Sequence, residues 1–269
     1  MDHDSYTGKL YFVGSADILD FSNFRFDDSH GIIEFDFYCE ESKYGPYLYE
    51  CIATKTNGSS YITEYFEPYE NAKSVQLKFE SETIKFLRDD EGQQFLYVQG
   101  YWMQGRPTKR IFHGLLAWKG ADGSQHHTQQ KPNPVRNFEY RGDVYFVDSQ
   151  DVLKVRAFQF QEDRELIRID CSLQASKHQP YSFEEDAKKS SGYAYLTKPF
   201  NLYEVIGPTV QLEFDPRHFQ FLVDNSGRRY LHLRGSWHEG NSEPLMHGLL
   251  QTYSSIQISI APFSSADRI

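Results

Sequence analysis

The chain has 269 residues, a formal net charge of −10 at pH 7 and an aromatic content of 16%. An acidic chain without a basic stripe is repelled by phosphate groups, so we expect no nucleic acid and no membrane surface as a partner. No apolar run reaches the ~20 residues that a membrane-spanning helix needs. The surplus of Tyr, Phe and Trp favours β-strands, whose half-buried faces suit aromatic side chains.

The sequence contains an internal duplication, in which residues 6–116 align with residues 140–250. Three patterns recur in the same order: YxGxxYFV at 6–13 and 140–147, VQLxF at 75–79 and 210–214, and GxWxxG at 100–105 and 235–240. A repeat unit of this length has the size of a domain. We therefore expect two tandem domains, 1–118 and 138–269, in a pseudo-twofold arrangement, with a polar linker over 119–137.

Each copy consists of short strand candidates separated by turn residues. In the first copy these candidates are 9–15, 21–26, 32–39, 47–54, 60–65, 75–79, 83–87, 95–103 and 110–118. Asn57-Gly58 and the equivalent hairpins at 89–92 and 224–227 are the clearest turns. The spacing predicts an all-β fold of antiparallel domains, each a closed barrel or a two-sheet sandwich. The strand number and hairpin order resemble lipocalin- and avidin-like barrels, as an analogy of fold alone.

Two further segments of the second half carry a secondary-structure signal. Residues 183–189 are rich in Glu, Asp and Lys and form the one helical candidate, while alternation over 256–260 predicts a final strand.

The cysteines Cys39, Cys51 and Cys171 do not occupy equivalent positions in the two copies, so we expect free thiols. The N-terminus lacks the pattern of a signal peptide, which together with free thiols predicts a cytoplasmic protein.

The strand over 95–103 has one face that stays constant between the copies and one that changes. The constant face is aliphatic and carries Trp102 or Trp237, each two residues after a glycine. We interpret it as core, with the glycine making room for the tryptophan; the alternative is a stacking platform for a planar ligand. The face that changes carries candidate ligand-binding residues: Tyr97, Tyr101, His232, Arg234 and His238.

His113 and His247 are equivalent residues on an apolar strand face. One interpretation is a buried, neutral imidazole hydrogen-bonded within its own domain, and the other is a general base or ligand-binding group. We expect the first, with the pKa of both rings lowered by burial. Neither histidine has a His, Cys or carboxylate at ligand spacing along its strand, so no metal site is predicted.

Other polar pairs are typical of a solvated surface. Glu34 and Asp36 share a strand face, but the equivalent pair is Arg168 and Asp170, which indicates cross-strand ion pairs rather than acid–base chemistry. The acidic segment 89–91 lacks the spaced oxygen ligands of a calcium loop and is interpreted as a turn. Phosphate-loop, dinucleotide, zinc-ligand and serine-nucleophile motifs do not occur, so no cofactor is predicted.

These observations predict a non-enzymatic soluble protein that binds a small molecule or a protein partner. The alternative is an isomerase- or cyclase-type enzyme with its site in a barrel lumen, using His113 or His247 as acid–base. A third hypothesis is a structural partner in a larger assembly, using exposed aromatic residues on edge strands. A closed pocket with a histidine and a carboxylate converging on it would favour the enzyme.

Overall fold

The computed structural model describes residues 5–39, 48–56, 58–68, 73–105, 108–119, 138–147, 149–174, 180–202 and 208–253. Over these residues the fold is all-β, and its helical turns are the short 3₁₀ segments 81–83, 162–164 and 216–218. None of these residues belongs to a helix that is long and apolar enough to cross a membrane. The predicted linker over 119–137, apart from Lys119, the predicted strand over 256–260 and Asn57 lie outside the described residues.

Nine strands come from the first part of the chain. They are β1 (Ser5–Phe12), β2 (Ile18–Asp27), β3 (Ile32–Cys39), β4 (Leu48–Lys55), β5 (Ser60–Thr63), β6 (Val75–Glu80), β7 (Lys85–Arg88), β8 (Gln94–Gln104) and β9 (Thr108–Lys119). Antiparallel pairing runs in chain order from β1 to β6, then from β6 to β8 and β9, and β9 returns to β1. These eight strands form a closed barrel, which we call the first barrel. The short β7 pairs with β8 next to the part of β8 that pairs with β6.

Ten strands come from the second part. They are β10 (Tyr140–Phe146), β11 (Val152–Gln161), β12 (Leu166–Gln174), β13 (Tyr181–Lys189), β14 (Tyr195–Thr197), β15 (Phe200–Asn201), β16 (Thr209–Phe214), β17 (Gln220–Asp224), β18 (Arg229–Glu239) and β19 (Leu245–Thr252). The same pairing order recurs, and β19 returns to β10, so these strands form the second barrel. The short β15 pairs with β16, and β17 pairs with β18.

The two barrels are connected by backbone hydrogen bonding. Strand β7 pairs antiparallel with β17, with Val223 opposite Arg88 and Asp224 opposite Leu87. A single antiparallel bridge joins Val13 to Val147. The outer surfaces of β8, β9, β18 and β19 are thereby brought into contact, which positions the site described below.

Side chains fill both barrel interiors. In the first barrel, rings that are fully or almost fully buried pack edge to face or stacked: Phe21, Phe24, Phe35, Phe37, Phe79 and Phe112. The second barrel has a separate core of the same kind. Ring packing of this type favours a solid core over an empty lumen.

The predicted core face is confirmed, since Trp102 and Trp237 are buried in the two cores. The role expected of the glycine in the first barrel is wrong in one respect. A Cβ at Gly100 would lie 2.5 Å from the Phe112 ring, so this glycine makes room for Phe112 rather than for the tryptophan. Trp102 packs instead against Phe12 and Phe66.

The nine strands predicted for the first copy are confirmed within a few residues, and the closed barrel replaces the sandwich alternative. The helix predicted over 183–189 is wrong, because these residues lie in β13. Phe183 and Ala187 face inward with Glu185 between them, where burial raises the pKa of its carboxyl. A carboxylate at an inward position hides the period of two and leaves apolar residues four apart, which is a helical spacing.

The side-chain predictions for the surface and the thiols are also confirmed. Cys39, Cys51 and Cys171 are free. The face that carries Glu34 in the first barrel and Arg168 in the second bears ion pairs between neighbouring strands, Arg25 with Glu34 at 3.9 Å and Arg168 with Asp186 at 3.3 Å. The hairpins at 89–92 and 224–227 are turns in which an aspartate side chain accepts backbone N–H groups.

Candidate functional site

The face of β8 and β18 that changes between the copies is where the barrels meet. Five buried residues form a small apolar cluster there, separate from both cores: Leu87, Phe95, Tyr97, Leu222 and Tyr230. We call the packed outer faces of β8, β9, β18 and β19 the contact surface. Side chains on it belong to the outside of each barrel and are buried only because the other barrel covers them.

Two histidines stack at the centre of the contact surface. The rings of His113 and His247 lie 4.2 Å apart between centroids, at an interplanar angle of 17°. Tyr11 of the first barrel packs edge-on against His247 at 4.7 Å, and Tyr145 of the second packs against His113 at 4.6 Å. The two crossed contacts involve equivalent residues, so the arrangement is close to twofold symmetric.

A third imidazole adjoins this pair. The ring of His232 lies 6.2 Å from that of His247. Three buried ring nitrogens have no hydrogen-bond partner among the described residues: Nε2 of His113, Nε2 of His232 and Nδ1 of His247. Leaving a buried polar group unpaired costs about 1–3 kcal/mol, so three in one place call for an explanation other than stability.

A hydrogen bond within its own domain was expected for both histidines, and the structure shows it for His113 only. Nδ1 of His113 lies 3.2 Å from the hydroxyl of Tyr97 on the neighbouring strand. At the position equivalent to Tyr97 the second barrel has His232, and its ring makes no hydrogen bond to His247 within the described residues. His247 thus lacks the partner that His113 has, which corrects the expectation for this residue.

Burial keeps all three imidazoles neutral near pH 7. It lowers the pKa of His113 to about 3 and that of His232 to about 4. The pKa of His247 is also lowered well below its ordinary value, first by burial and then by the proximity of His113, His232 and Arg234. The hydroxyl of Tyr145 is affected in the opposite direction, its pKa being raised to about 12 mainly by burial.

One cavity opens beside this cluster on the side of His232 and His247. Its volume is about 240 Å³, and it is lined by Lys9, Tyr11, Gly114, Leu115, Gln220, His232, Arg234, Leu245 and His247. Two of these side chains are cationic and none is a carboxylate. We call it the basic cavity.

An equivalent cavity lies on the opposite side of the stacked pair and has different chemistry. Its volume is about 220 Å³, and it is lined by Glu82, Thr83, Lys85, Tyr97, Gln99, Asp143, Tyr145, Tyr230, Leu249 and Gln251. In the alignment of the two copies, Lys9 corresponds to Asp143, His232 to Tyr97 and Arg234 to Gln99. We call this the acidic cavity, since it holds two carboxylates and one lysine.

The structure brings together five of the seven residues predicted to bind a ligand. His113, His247, Tyr97, His232 and Arg234 lie at the contact surface or in its cavities. Tyr101 lines neither cavity, and the Nζ of Lys109 lies 3.4 Å from the centre of its ring. His238 also lies elsewhere.

His238 belongs to a small polar cluster with two carboxylates. Its Nε2 lies 3.0 Å from Glu213 and its Nδ1 lies 3.8 Å from Glu243. The three ligand atoms are close enough together to hold a metal ion. Acidic groups at a protein surface are common without a bound ion, so the cluster is not assigned as a metal site.

Lys9, Tyr11 and Gln220 were missed as site residues. Lys9 is equivalent to Asp143, and Gln220 is equivalent to Lys85. His232 was selected because it differs from its equivalent in the other copy, and the same comparison along β1 and β17 would have selected Lys9 and Gln220. Tyr11 is the same in both copies, and no sequence signal separates it from a core residue.

Another cavity, of about 580 Å³, is a cleft at one end of the first barrel. Three of its charged side chains have partners: Arg25 lies 3.9 Å from Glu34, and Asp27 accepts hydrogen bonds from Ser29 and His30. In the basic cavity, Arg234 has no such partner within the described part of the chain.

Comparison with known proteins leaves the function to be argued from this geometry. No protein family model matches the chain, and no curated protein matches it either.

Proposed function

We propose that this protein is a non-enzymatic binding protein made of two β-barrel domains that arose by duplication, and that it binds a small molecule in the basic cavity. The domains are 1–118 and 138–269, connected by 119–137. The aligned sequence patterns support the duplication, and so do the two equal orders of strand pairing. Binding sites commonly lie where two domains meet, because both contribute side chains to a concave surface.

The observation that carries this proposal is the unequal chemistry of two equivalent cavities. The contact between the barrels keeps the same residues at its centre, His113 with Tyr145 and His247 with Tyr11. The two cavities beside it differ at several equivalent positions of their lining, where Lys9, His232 and Arg234 have other residues as counterparts. If the surface served only to hold the barrels together, apolar or neutral residues on both sides would be enough. A cavity with unpaired polar groups on one side is instead typical of a ligand-binding site.

Binding is favoured over acid–base catalysis by the distribution of the titratable groups. An isomerase or cyclase needs a histidine and a carboxylate near the same substrate atom. Here His232 and His247 line the basic cavity, whereas Glu82 and Asp143 line the acidic one. His113 and His247 also lie outside the barrel interiors, which are filled with side chains, so their position does not support the alternative of a lumen site.

A thermal-shift screen tests the proposal. Protein at pH 7.5 is mixed with a panel of small sugars, amines, amides and organic acids, and the melting temperature is measured for wild type and for His232→Tyr. This substitution introduces the residue that the first barrel has at the equivalent position. We expect at least one compound to raise the melting temperature of wild type and to lose that effect in His232→Tyr.

His218→Tyr is the matched control, since His218 is exposed and lies outside the cavity. It should respond to the same compounds as wild type. The proposal is wrong if every compound acts equally on wild type and His232→Tyr, or if none acts on wild type. Native mass spectrometry of gently purified protein, with and without His232→Tyr, provides an independent measurement of a retained small molecule.

A further inference from the structure

We infer that the ligand of the basic cavity is a small anion bearing a phosphate or carboxylate group. This inference rests on the proposed function, because it names the chemical class that the same cavity accepts. It is unexpected for a chain with a net charge of −10. The local charge of the cavity therefore has to be considered apart from that of the whole protein.

Arg234 is exposed at the cavity, and its guanidinium makes no ion pair or hydrogen bond with any side chain that the structure describes. A guanidinium offers two parallel N–H donors that match the spacing of the oxygens in a carboxylate or phosphate. Since the cavity has no carboxylate in its lining, Arg234 can meet an incoming anion without first breaking an internal ion pair.

Lys9 contributes a second positive charge to the lining of the cavity. Its Nζ lies 3.9 Å from Asp20 on the neighbouring strand, with both side chains partly exposed. The equivalent pair in the second barrel has the opposite polarity, with Asp143 facing Lys154 in the register of β10 and β11.

The imidazoles add hydrogen-bond donors without adding charge. His232 and His247 both line the cavity, and neither ring forms a hydrogen bond with another side chain in the described residues; Nε2 of His232 and Nδ1 of His247 are themselves buried. A neutral imidazole carries its single N–H on either nitrogen and can adopt the tautomer that a ligand oxygen requires. Binding an anion would therefore not disrupt an existing hydrogen bond of either ring.

The size of the cavity restricts the ligand. Drug-sized ligands occupy pockets of about 300–1,000 Å³. At about 240 Å³ the basic cavity suits a compact anion with few atoms beyond its charged group. Inorganic phosphate and a short dicarboxylate such as succinate are the two probes of that size, and they separate the two kinds of charged group.

The acidic cavity is an internal negative control for the same chemistry. Gln99 stands where the basic cavity has Arg234, and Asp143 stands where it has Lys9. Its volume is nearly the same, so a difference in anion binding between the two cavities would come from charge and not from space. Exchanging residues between them gives substitutions that each barrel already tolerates at the equivalent position.

The experiment is isothermal titration of the full chain with phosphate and, separately, with succinate at pH 7.5 and constant ionic strength. Wild type is compared with Arg234→Gln and with Gln99→Arg, and the melting temperature of each variant without ligand checks folding. We expect saturable binding of at least one probe to wild type. Arg234→Gln should weaken it by about tenfold or more, the effect of losing one charge-assisted hydrogen bond, and Gln99→Arg should not weaken it.

The inference is overturned if Arg234→Gln folds normally and binds both probes as wild type does, since the anion would then bind elsewhere. It is also overturned if neither probe saturates wild type at millimolar concentrations while a neutral or cationic compound from the screen binds and depends on His232. In that case the basic cavity remains a binding site with a different ligand class. Only the absence of any His232-dependent compound would remove the proposed function itself.

Discussion

The two barrels are most alike on their inner faces and least alike where they meet. Inside, the strand carrying Trp102 and its equivalent carrying Trp237 are nearly the same. On the outer faces of the same strands, Tyr97 and Gln99 are replaced by His232 and Arg234. A closely packed interior tolerates few changes of shape whereas a surface tolerates many, so more differences between the two aligned segments are expected on the outer faces. At the contact surface these differing side chains are enclosed between the two barrels.

The largest effect is expected from the inner faces, and it should be equal in both barrels. Trp102→Ala and Trp237→Ala each remove a buried aromatic side chain, which typically costs about 3–5 kcal/mol in the free energy of unfolding. Urea denaturation measures it, with Tyr65→Ala, at an exposed position, as the control. If one tryptophan were dispensable for stability, the inner faces would not be equivalent and that residue would become a ligand-contact candidate.

Acidification should lower the stability of the protein through the buried histidines of the contact surface, because the inner faces carry no such group in the described residues. The folded pKa of His113 and His232 lies below the unfolded value of about 6.5, so only the unfolded chain gains protons as the pH first falls. Stability is therefore fully present above pH 6.5 and declines below it, by about 1–2 kcal/mol per buried imidazole at pH 5. Urea midpoints at pH 7.5, 6 and 5 measure this decline.

A control for the acid effect removes the titrating groups. The double variant His113→Leu/His247→Leu should show a shallower decline between pH 6.5 and 5 than wild type does. The carboxyl groups with a lowered pKa, such as those of Asp28 and Glu80, lose their contribution only at lower pH, so they do not confuse this window. A wild-type stability that is constant down to pH 5 would contradict the burial of neutral imidazoles.

A smaller loss of stability is expected from removing the one hydrogen bond that His113 has and His247 lacks. Tyr97→Phe removes the hydroxyl that lies 3.2 Å from Nδ1 of His113 and leaves a buried nitrogen unpaired, at a cost of about 1–2 kcal/mol. Tyr101→Phe is the control, because a phenyl ring keeps its contact with Lys109. Nitrogen-15 NMR of the imidazoles adds a direct readout, in which the resonances of His113 shift in Tyr97→Phe only. An unchanged His113 spectrum would show that the hydroxyl does not bond to it.

The smallest effect is expected on the outer surface away from the contact, where the copies are again alike. Lys55 pairs with Asp28 and Lys189 with Glu165, each at 2.6 Å between partly exposed groups. Exposed ion pairs contribute little, so Lys55→Met and Lys189→Met should each leave the unfolding free energy almost unchanged. Thermal melts at low and high salt measure both, and a larger loss in one barrel would reveal an asymmetry that the ion pairs do not show.

Much of the fold could be predicted because local and periodic signals agreed. Alternation along 95–103 and the aspartate turns at 89–92 and 224–227 placed β7, β8, β17 and β18 nearly where they are. The error over 183–189 arose where one inward carboxylate, Glu185, interrupted the alternation. The candidate site was predicted in part, since the changing face held Tyr97, His232 and Arg234, but residues from more distant strands, such as Lys9 and Gln220, were not.

The sequence by itself determined that the chain is all-β, that its two halves share sequence patterns, and that the strand face with Trp102 or Trp237 points inward, because side-chain period and turn chemistry are local properties. Only the tertiary structure decided between barrel and sandwich, since closure depends on β9 returning to β1, about 100 residues away in the chain. It also decided that His113 and His247 stack on each other. They lie on outer faces of different barrels, and burial by another part of the chain leaves no periodic signal in the sequence of either strand.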